Sequence, residues 1–332
     1  MAASDLAIAR YECLGTGINV DWCKTTPGIT WAKHWAKYGL SVPMIFKERG
    51  FDHVRIRIKD DATPELLEHL DNLISQCCAC SLQPIVAYQA KEFKLNPYHT
   101  STRKKVVDWW SAIAEKLDRY AARVSFNFVI ETTDTVKSSP LALNTLYQEI
   151  NDAIRPMCGR RLHIICPTGI CAPEALHLLE IPTRGARTDR NFIAESHWYA
   201  AGPQPSGPKS WGNGEEGTPT AEEVQRLRDK AELAAKWAHD NSTPVYMGAW
   251  MNGDFDNAVV AGNQYHDGGP MSLNFSVEQR KDFTRHMKRA LSKNGLRAHA
   301  VNSDTKYYDR TTNHWYETQS GILNTLFLDL DD

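Results

Sequence analysis

The sequence predicts a single (β/α)8 barrel, the TIM-barrel architecture, on three observations. Eight apolar runs rich in Val, Ile, Phe and Tyr alternate with helix-patterned segments along 332 residues. Such alternation suits parallel strands covered on both faces. The first run is followed by Asp21-Trp22-Cys23-Lys24, where a doubly wound open sheet would place a glycine-rich phosphate loop. Two segments, at about 202–220 and 253–275, read as long loops after the sixth and seventh runs. Long loops at the carboxyl ends of strands are where a barrel builds its site.

In chain order the strand runs are Gly17–Val20, His53–Ile58, Gln83–Tyr88, Val124–Glu131, Leu162–Pro167, Asn191–Trp198, Pro244–Trp250 and Leu296–Asp304. The helical segments carry their own start signals. Thr63-Pro64 is an N-cap with proline in the first turn, opening an amphipathic stretch to about Cys78. Ser101 to Ala121 shows helical spacing of Val106, Trp109, Trp110, Ile113 and Leu117. Pro140 to Met157 and Ala172 to Ile181 complete the first half. Thr220 with Glu223 and Ser276 with Gln279 fit capping boxes, opening helices to about Asn241 and Asn294, and Asn294-Gly295 is a stop signal.

Composition narrows the function classes. The formal net charge is −2 and 42% of residues are hydrophobic, so neither nucleic acid nor an anionic membrane is an expected partner. No run of about 18 apolar residues is present, and Met1–Asp5 is too short and polar for a signal peptide. One domain spanning residues 1–332 is expected. The eight cysteines are scattered, with Cys77, Cys78 and Cys80 crowded on one helical segment. They read as idle thiols, with Cys13–Cys23 or Cys158–Cys171 as the alternative pairings. None has zinc-ligand spacing, so no metal and no cofactor are implied.

Chemistry in a barrel gathers at the carboxyl ends of its strands. Arg55 and Arg57 stand on the second run, Tyr88-Gln89 ends the third, and Glu131 ends the fourth. Glu195, His197 and Tyr199 alternate on the sixth and so share a face. Gly248-Ala249-Trp250 closes the seventh, and His299, Asn302 and Asp304 lie on the eighth. A carboxylate at the end of a buried strand is costly unless paired, which suits Glu131 to general acid work; the alternative is a plain ion pair with Arg55 or Arg57. Arg55 reads as a residue that orients a carboxylate. Ten tryptophans is a high number. Trp198, Trp211, Trp250 and Trp315 are candidate platforms for the apolar C–H faces of sugar rings, with core packing as the alternative.

These residues resemble glycoside hydrolase family 5, the cellulase-like barrels, over nearly the whole chain. Gly17-Ile18-Asn19 looks like that family's first strand, and Gly50-Phe51-Asp52-His53-Val54-Arg55-Ile56 like its second. Ser196-His197-Trp198-Tyr199 looks like its His-x-Tyr strand, and Pro244-Val245-Tyr246-Met247-Gly248 like the strand that leads to its nucleophile. Trp315, after Tyr307-Tyr308-Asp309, looks like its closing region. The resemblance implies a carbohydrate-active enzyme cutting β-linked glycosidic bonds of a polysaccharide or oligosaccharide, with Glu131 as acid/base. His197, Tyr199 and Arg55 would position the substrate or tune Glu131. Tyr88, Gln89, Asn302 and Asp304 are further substrate-binding candidates. A monomer in an extracellular setting is implied, with a cytoplasmic one left open.

The departures are specific. Ile130 and Thr132 flank Glu131 where the family has asparagine and proline. Tyr88-Gln89 replaces its third-strand histidine, and Ala249 occupies the nucleophile position. Alanine cannot form the covalent intermediate of a retaining mechanism. Three readings follow: a glutamate exchanged to trap substrate, a naturally divergent enzyme, or a glycan-binding pseudoenzyme. The divergent enzyme could be an inverting hydrolase using Asp304, Asp254 or Asp256. It could also be a polysaccharide lyase using Tyr199, His197 and Glu131, with Arg55 or Arg57 neutralising a uronate. The missing asparagine favours natural divergence, since a trap needs only one change.

Overall fold

The computed structural model describes residues 3–120, 123–199, 211–251 and 275–328. The side chain of Tyr199 lies outside this set, as do residues 202–210 and 253–274 of the two expected loops, Asp254 and Asp256 included. Eight parallel strands close into a barrel in chain order. They are β1 (Thr16–Cys23), β2 (His53–Ile58), β3 (Gln83–Tyr88), β4 (Ser125–Asn127), β5 (His163–Ile165), β6 (Phe192–Tyr199), β7 (Val245–Met251) and β8 (His299–Val301). β8 returns to β1 with Thr16 opposite His299. The expected (β/α)8 barrel is therefore the observed architecture.

The helices are α1 (Asp5–Glu12), α2 (Thr26–Lys37), α3 (Val42–Arg49), α4 (Pro64–Ala79), α5 (Lys91–Leu95), α6 (Thr100–Lys116), α7 (Pro140–Ile154), α8 (Ala221–Asn241), α9 (Val277–Lys293) and α10 (Glu317–Phe327). The cap of α4 and both capping boxes form: Thr63, Thr220 and Ser276 each accept from a backbone N–H of the first turn. Two expectations are corrected. The segment Ala172–Ile181 is not a helix but holds a 3-10 stretch over Pro173–Leu178. Pro173 and Pro182 bracket too little chain to repay a helix nucleus. The fourth strand is also shorter than expected. After Asn127 regular strand geometry ends, although Phe128 N–H still bonds to the Ile164 carbonyl at 3.0 Å and Ile130 N–H to that of Tyr88 at 2.9 Å; Glu131 then takes a left-handed φ of 46° as Thr133 N–H bonds back to the Glu131 carbonyl at 2.8 Å.

Alternation along the strands divides the core in two. Ile18, Val54, Ile56, Val86 and Phe126 face outward into the layer beneath the helices. Ile85, Ile164, Ile193, Tyr246 and Ala300 fill the barrel's lower interior, and α1 closes its floor with Ala7 and Tyr11. All eight cysteines are free thiols, so neither disulfide pairing is formed. Among the described residues no helix is long and apolar enough to cross a membrane.

Candidate active site at the barrel mouth

Inward-facing positions above the apolar floor are polar. Asn19, Arg55, Asn127, Glu195 and His197 come from β1, β2, just four positions before Glu131 on β4, and twice from β6, and all are buried. The Arg55 guanidinium pairs with Glu195 through Nη1, donates through Nε to Asn19 Oδ1, and reaches Asn127 Oδ1 at 3.3 Å. Asn127 Nδ2 donates to the other Glu195 oxygen at 2.6 Å, and His197 Nε2 lies 2.7 Å from Glu195 Oε1. Burial alone would raise the Glu195 carboxyl, but Arg55, His197 and Asn127 together hold it below the usual carboxylate range. An ionised carboxylate only accepts, so His197 carries its proton on Nε2. Gly248 makes room for this group, because a Cβ there would land on the Glu195 carboxylate. Its carbonyl accepts from Asn19 Nδ2 at 3.0 Å.

With Nε2 committed, His197 Nδ1 is left without a hydrogen-bond partner and faces Glu131 Oε1 at 4.0 Å. The Glu131 side chain is 23% exposed, so this carboxylate meets both the buried network and solvent. One proton can pass between Glu131 and His197 through a ligand hydroxyl or water, while Glu195 and Arg55 fix the imidazole's orientation.

Further out stand Arg57, Asn302, Lys24, Lys94 and Gln89. Arg57 Nη1 donates to Asn302 Oδ1 at 3.1 Å, and Lys94 Nζ to Gln89 Oε1 at 3.3 Å. Arg310 bridges Asp21 and Asp304, at 2.5 Å from the latter. Burial pushes the Asp304 carboxyl up to about 6 against the pull of Arg310. A cavity of about 680 Å³ opens beside this bridge, lined in part by Trp31, His34, Tyr308 and Tyr316.

The sequence-predicted residues do not all meet at this place. Arg55, Glu131 and His197 do, and Ala249 pairs with His197 across the β6–β7 ladder, buried and without a carboxylate. The tryptophans are elsewhere. Trp198 donates to Met287 Sδ at 2.9 Å, and Trp211 and Trp250 pack on Phe283. All three rings are buried against α9 and do not stand at the rim. Trp315 packs on Phe46 and Phe51 of the outer layer, and Tyr88 stacks on Trp109 of α6 at 3.9 Å. The ladder explains this: these side chains fall on the outward face of their strands or beyond them. Asn19, Asn127, Lys24 and Lys94 are the mouth residues that sequence reasoning missed. For the two asparagines the available signal was an amide at an inward position of an apolar strand. Among the described residues no three His, Cys, Asp or Glu side chains gather as a metal site would need.

A closed parallel barrel with a carboxylate and an imidazole at its carboxyl end, backed by a buried Arg–Glu pair, is a glycoside-hydrolase-type barrel. The sequence matches Cellulase (glycosyl hydrolase family 5) over residues 18–280. The chain belongs to that family. Endoglucanase Cel5A from the hyperthermophilic Thermotoga maritima is similar at a TM-score of 0.74 and 20% identity, covering 97% of this chain and 99% of that one. The cellulose synthase subunit Z of Clostridioides difficile matches at 0.70 and 17%, covering 95% and 100%. A broad-specificity endoglucanase from Clostridium longisporum matches at 0.73 and 16%, covering 98% of each. At these identities the likeness is one of fold. No curated protein matches the sequence.

Proposed function

We propose that the protein breaks glycosidic bonds of a polysaccharide or oligosaccharide, with Glu131 as the proton-transferring residue. One observation carries the reading: Glu131 is a partly exposed carboxylate facing an imidazole nitrogen that has no hydrogen-bond partner among the described residues, held by a buried network. Similar barrels include an endo-β-1,4-glucanase with substrate and Cel5A with cellobiose and with mannotriose, which supports a β-linked glycan. In hydrolysis Glu131 protonates the leaving oxygen. Because Ala249 supplies no nucleophile, water attacks directly and the product is inverted. The water would be activated by a second carboxylate about 6.5–9.5 Å from Glu131, for which Asp304, Asp254 and Asp256 are the candidates. Tyr199 is assigned to substrate positioning, and an extracellular monomer is the expected form.

A second reading is favoured by one feature. Among the described residues the Arg57 guanidinium hydrogen-bonds neutral acceptors alone, which suits β-elimination from a uronic acid. There a base takes the C5 proton, the electron pair forms the C4=C5 bond, and the O4 leaving group departs with a proton. Neither step needs a nucleophile.

The test is product release from neutral and uronic-acid polysaccharides by the protein, Glu131→Gln and Ala249→Glu. Glu131→Gln is expected to lose about 10²–10⁴-fold in turnover while still binding glycan. Unchanged turnover in that variant removes the assignment. New reducing ends without ultraviolet absorbance indicate hydrolysis, and an absorbing unsaturated product indicates elimination. Cutting by Ala249→Glu alone makes the chain a disabled hydrolase. Binding without new ends in any form makes it a glycan-binding protein.

A further inference from the structure

Three cations surround Glu131, and among the described residues none of them meets a carboxylate at ion-pair distance. Arg57 points into the barrel from β2. Its Nε donates to the Val20 carbonyl at 3.3 Å and its Nη1 to Asn302 Oδ1 at 3.1 Å, both neutral acceptors. Lys94 is only 3% exposed, and its ammonium reaches a single acceptor, the Gln89 amide oxygen at 3.3 Å. Lys24 follows β1 directly and is half-buried; its backbone N–H bonds to the Asp21 carbonyl at 2.8 Å, but its ammonium makes neither a hydrogen bond nor an ion pair among the described residues.

The charges act on one another. Arg57 foremost, then burial, lowers the Lys24 ammonium to about 8, against Glu131 and Asp21. Burial lowers Lys94, and Glu131 is the chief group that opposes it. The other mouth charges are occupied: Arg55 with Glu195, and Arg310 between Asp21 and Asp304. Glu131 and the Asp21–Arg310–Asp304 group, which carries one negative charge in excess when both carboxyls are ionised, thus face three cations, and the mouth keeps a positive balance. Withdrawing a cation from water is costly unless an anion completes it. A purely structural lysine or arginine in such a place would be expected to carry a carboxylate partner, and a neutral sugar has no use for the charge.

We propose that the sugar unit bound beside Glu131 carries a carboxylate. The substrate is then a uronic-acid glycan, whose acidic group is held by Arg57 and Lys24 with the Lys94 charge beneath. Among the described residues Arg57 Nη2 makes no hydrogen bond, and a guanidinium suits a carboxylate in both charge and geometry. The inference rests on reading the mouth as a glycan site and names its substrate class. It holds for hydrolysis and for elimination alike.

The experiment is equilibrium binding to the full chain. The probes are hexasaccharides of glucuronic, mannuronic and galacturonic acid, each beside its carboxyl-reduced neutral counterpart, and a sulfated neutral hexasaccharide. At least one uronate is expected to bind about tenfold more tightly than its reduced form. That preference should shrink as salt is raised. Arg57→Gln should abolish it and Lys24→Gln weaken it. Lys236→Gln, on the exposed side of α8, should leave it intact. The salt dependence of the natural protein tests the proposal even if Arg57→Gln fails to fold. Equal binding of every acidic and reduced pair overturns the inference and leaves the Glu131 assignment standing. A preference for sulfate alone also overturns it. An acidic preference without cleavage, by the natural protein and Glu131→Gln alike, keeps the inference and removes the catalytic reading.

Discussion

Glu195 and Glu131 face the two nitrogens of one imidazole, Nε2 and Nδ1 of His197, and their surroundings give them different work. Glu195 has no exposed surface and is held by Arg55, Asn127 and His197. It is a fixed counter-charge, and Glu131 is the carboxylate that a ligand can touch. Glu195→Gln keeps the volume but strands the Arg55 charge inside the barrel. Breaking a buried pair in this way costs about 3–5 kcal/mol, so the urea midpoint should fall accordingly. A shift below 1 kcal/mol would show that Arg55 finds another partner. How far the site could be read from sequence follows the same division. Arg55, Glu131 and His197 are legible because a charged group on an apolar strand demands an explanation. Asn19 and Asn127 are not, because an amide in a strand carries no such demand until its partner is known. Lys24 and Lys94 come from the segments after β1 and β3, and only the closed barrel brings them beside Glu131.

Helix α8 shows what a single cap can organise. Glu223 accepts from Thr220 N–H at 2.8 Å and from Gly212 N–H at 3.0 Å, and also holds the Asn213 amide. The capping box therefore fastens the segment before the helix as well as the helix itself. Thr220→Ala should cost about 1 kcal/mol, the ordinary worth of an N-cap. Glu223→Ala should cost roughly twice that, because charge-assisted bonds to two further residues go with it. Thermal unfolding of the two variants gives the comparison, and equal shifts would mean that the 211–213 segment is held by other contacts. Elements with such paired signals were legible in the sequence: α4, α8 and α9 begin where their caps stand. Elements defined by their surroundings were not. β4 is a three-residue strand inside a longer apolar run, where isolated backbone bonds from Phe128 and Ile130 continue after regular strand geometry ends. α1, α2 and α3 also begin at side-chain caps, Ser4, Thr25 and Ser41, which sequence reasoning passed over, whereas α10 has no side-chain cap bond. The tryptophans of β6 and β7 went to α9 because outward strand positions meet helices, and composition does not record which way a ring points.

At the scale of the molecule the barrel encloses neutral histidines. Burial lowers His53 to about 4 and His299 to about 3, and it lowers His163 well below its ordinary value. A histidine depressed in the folded state takes up its proton first in the unfolded chain. Its contribution is complete above about 6.5 and is lost as the pH falls towards the folded value. Asp304 runs the other way: raised to about 6, its contribution is present below about 4 and lost as the pH rises through 6. Three histidines against one aspartate leave a net loss on the order of 3 kcal/mol per pH unit between about pH 6 and 4. Urea unfolding at pH 7.5, 6.0 and 5.0 should follow this slope. A level profile would mean that the enclosed imidazoles find protons or water without unfolding.

The floor of the barrel has a consequence for how the chain is made. Tyr11 donates to the Val245 carbonyl at 3.1 Å and accepts from Ala298 N–H, and Ala3 and Ser4 bond to Ser242 and Arg190. A segment synthesised before any strand of the barrel is fastened by residues from the second half of the chain. During most of translation Ala7, Tyr11 and Leu14 have no barrel to cover, and β1 has no β8 to meet. A helix made before every strand of the barrel is among the last pieces to find its place.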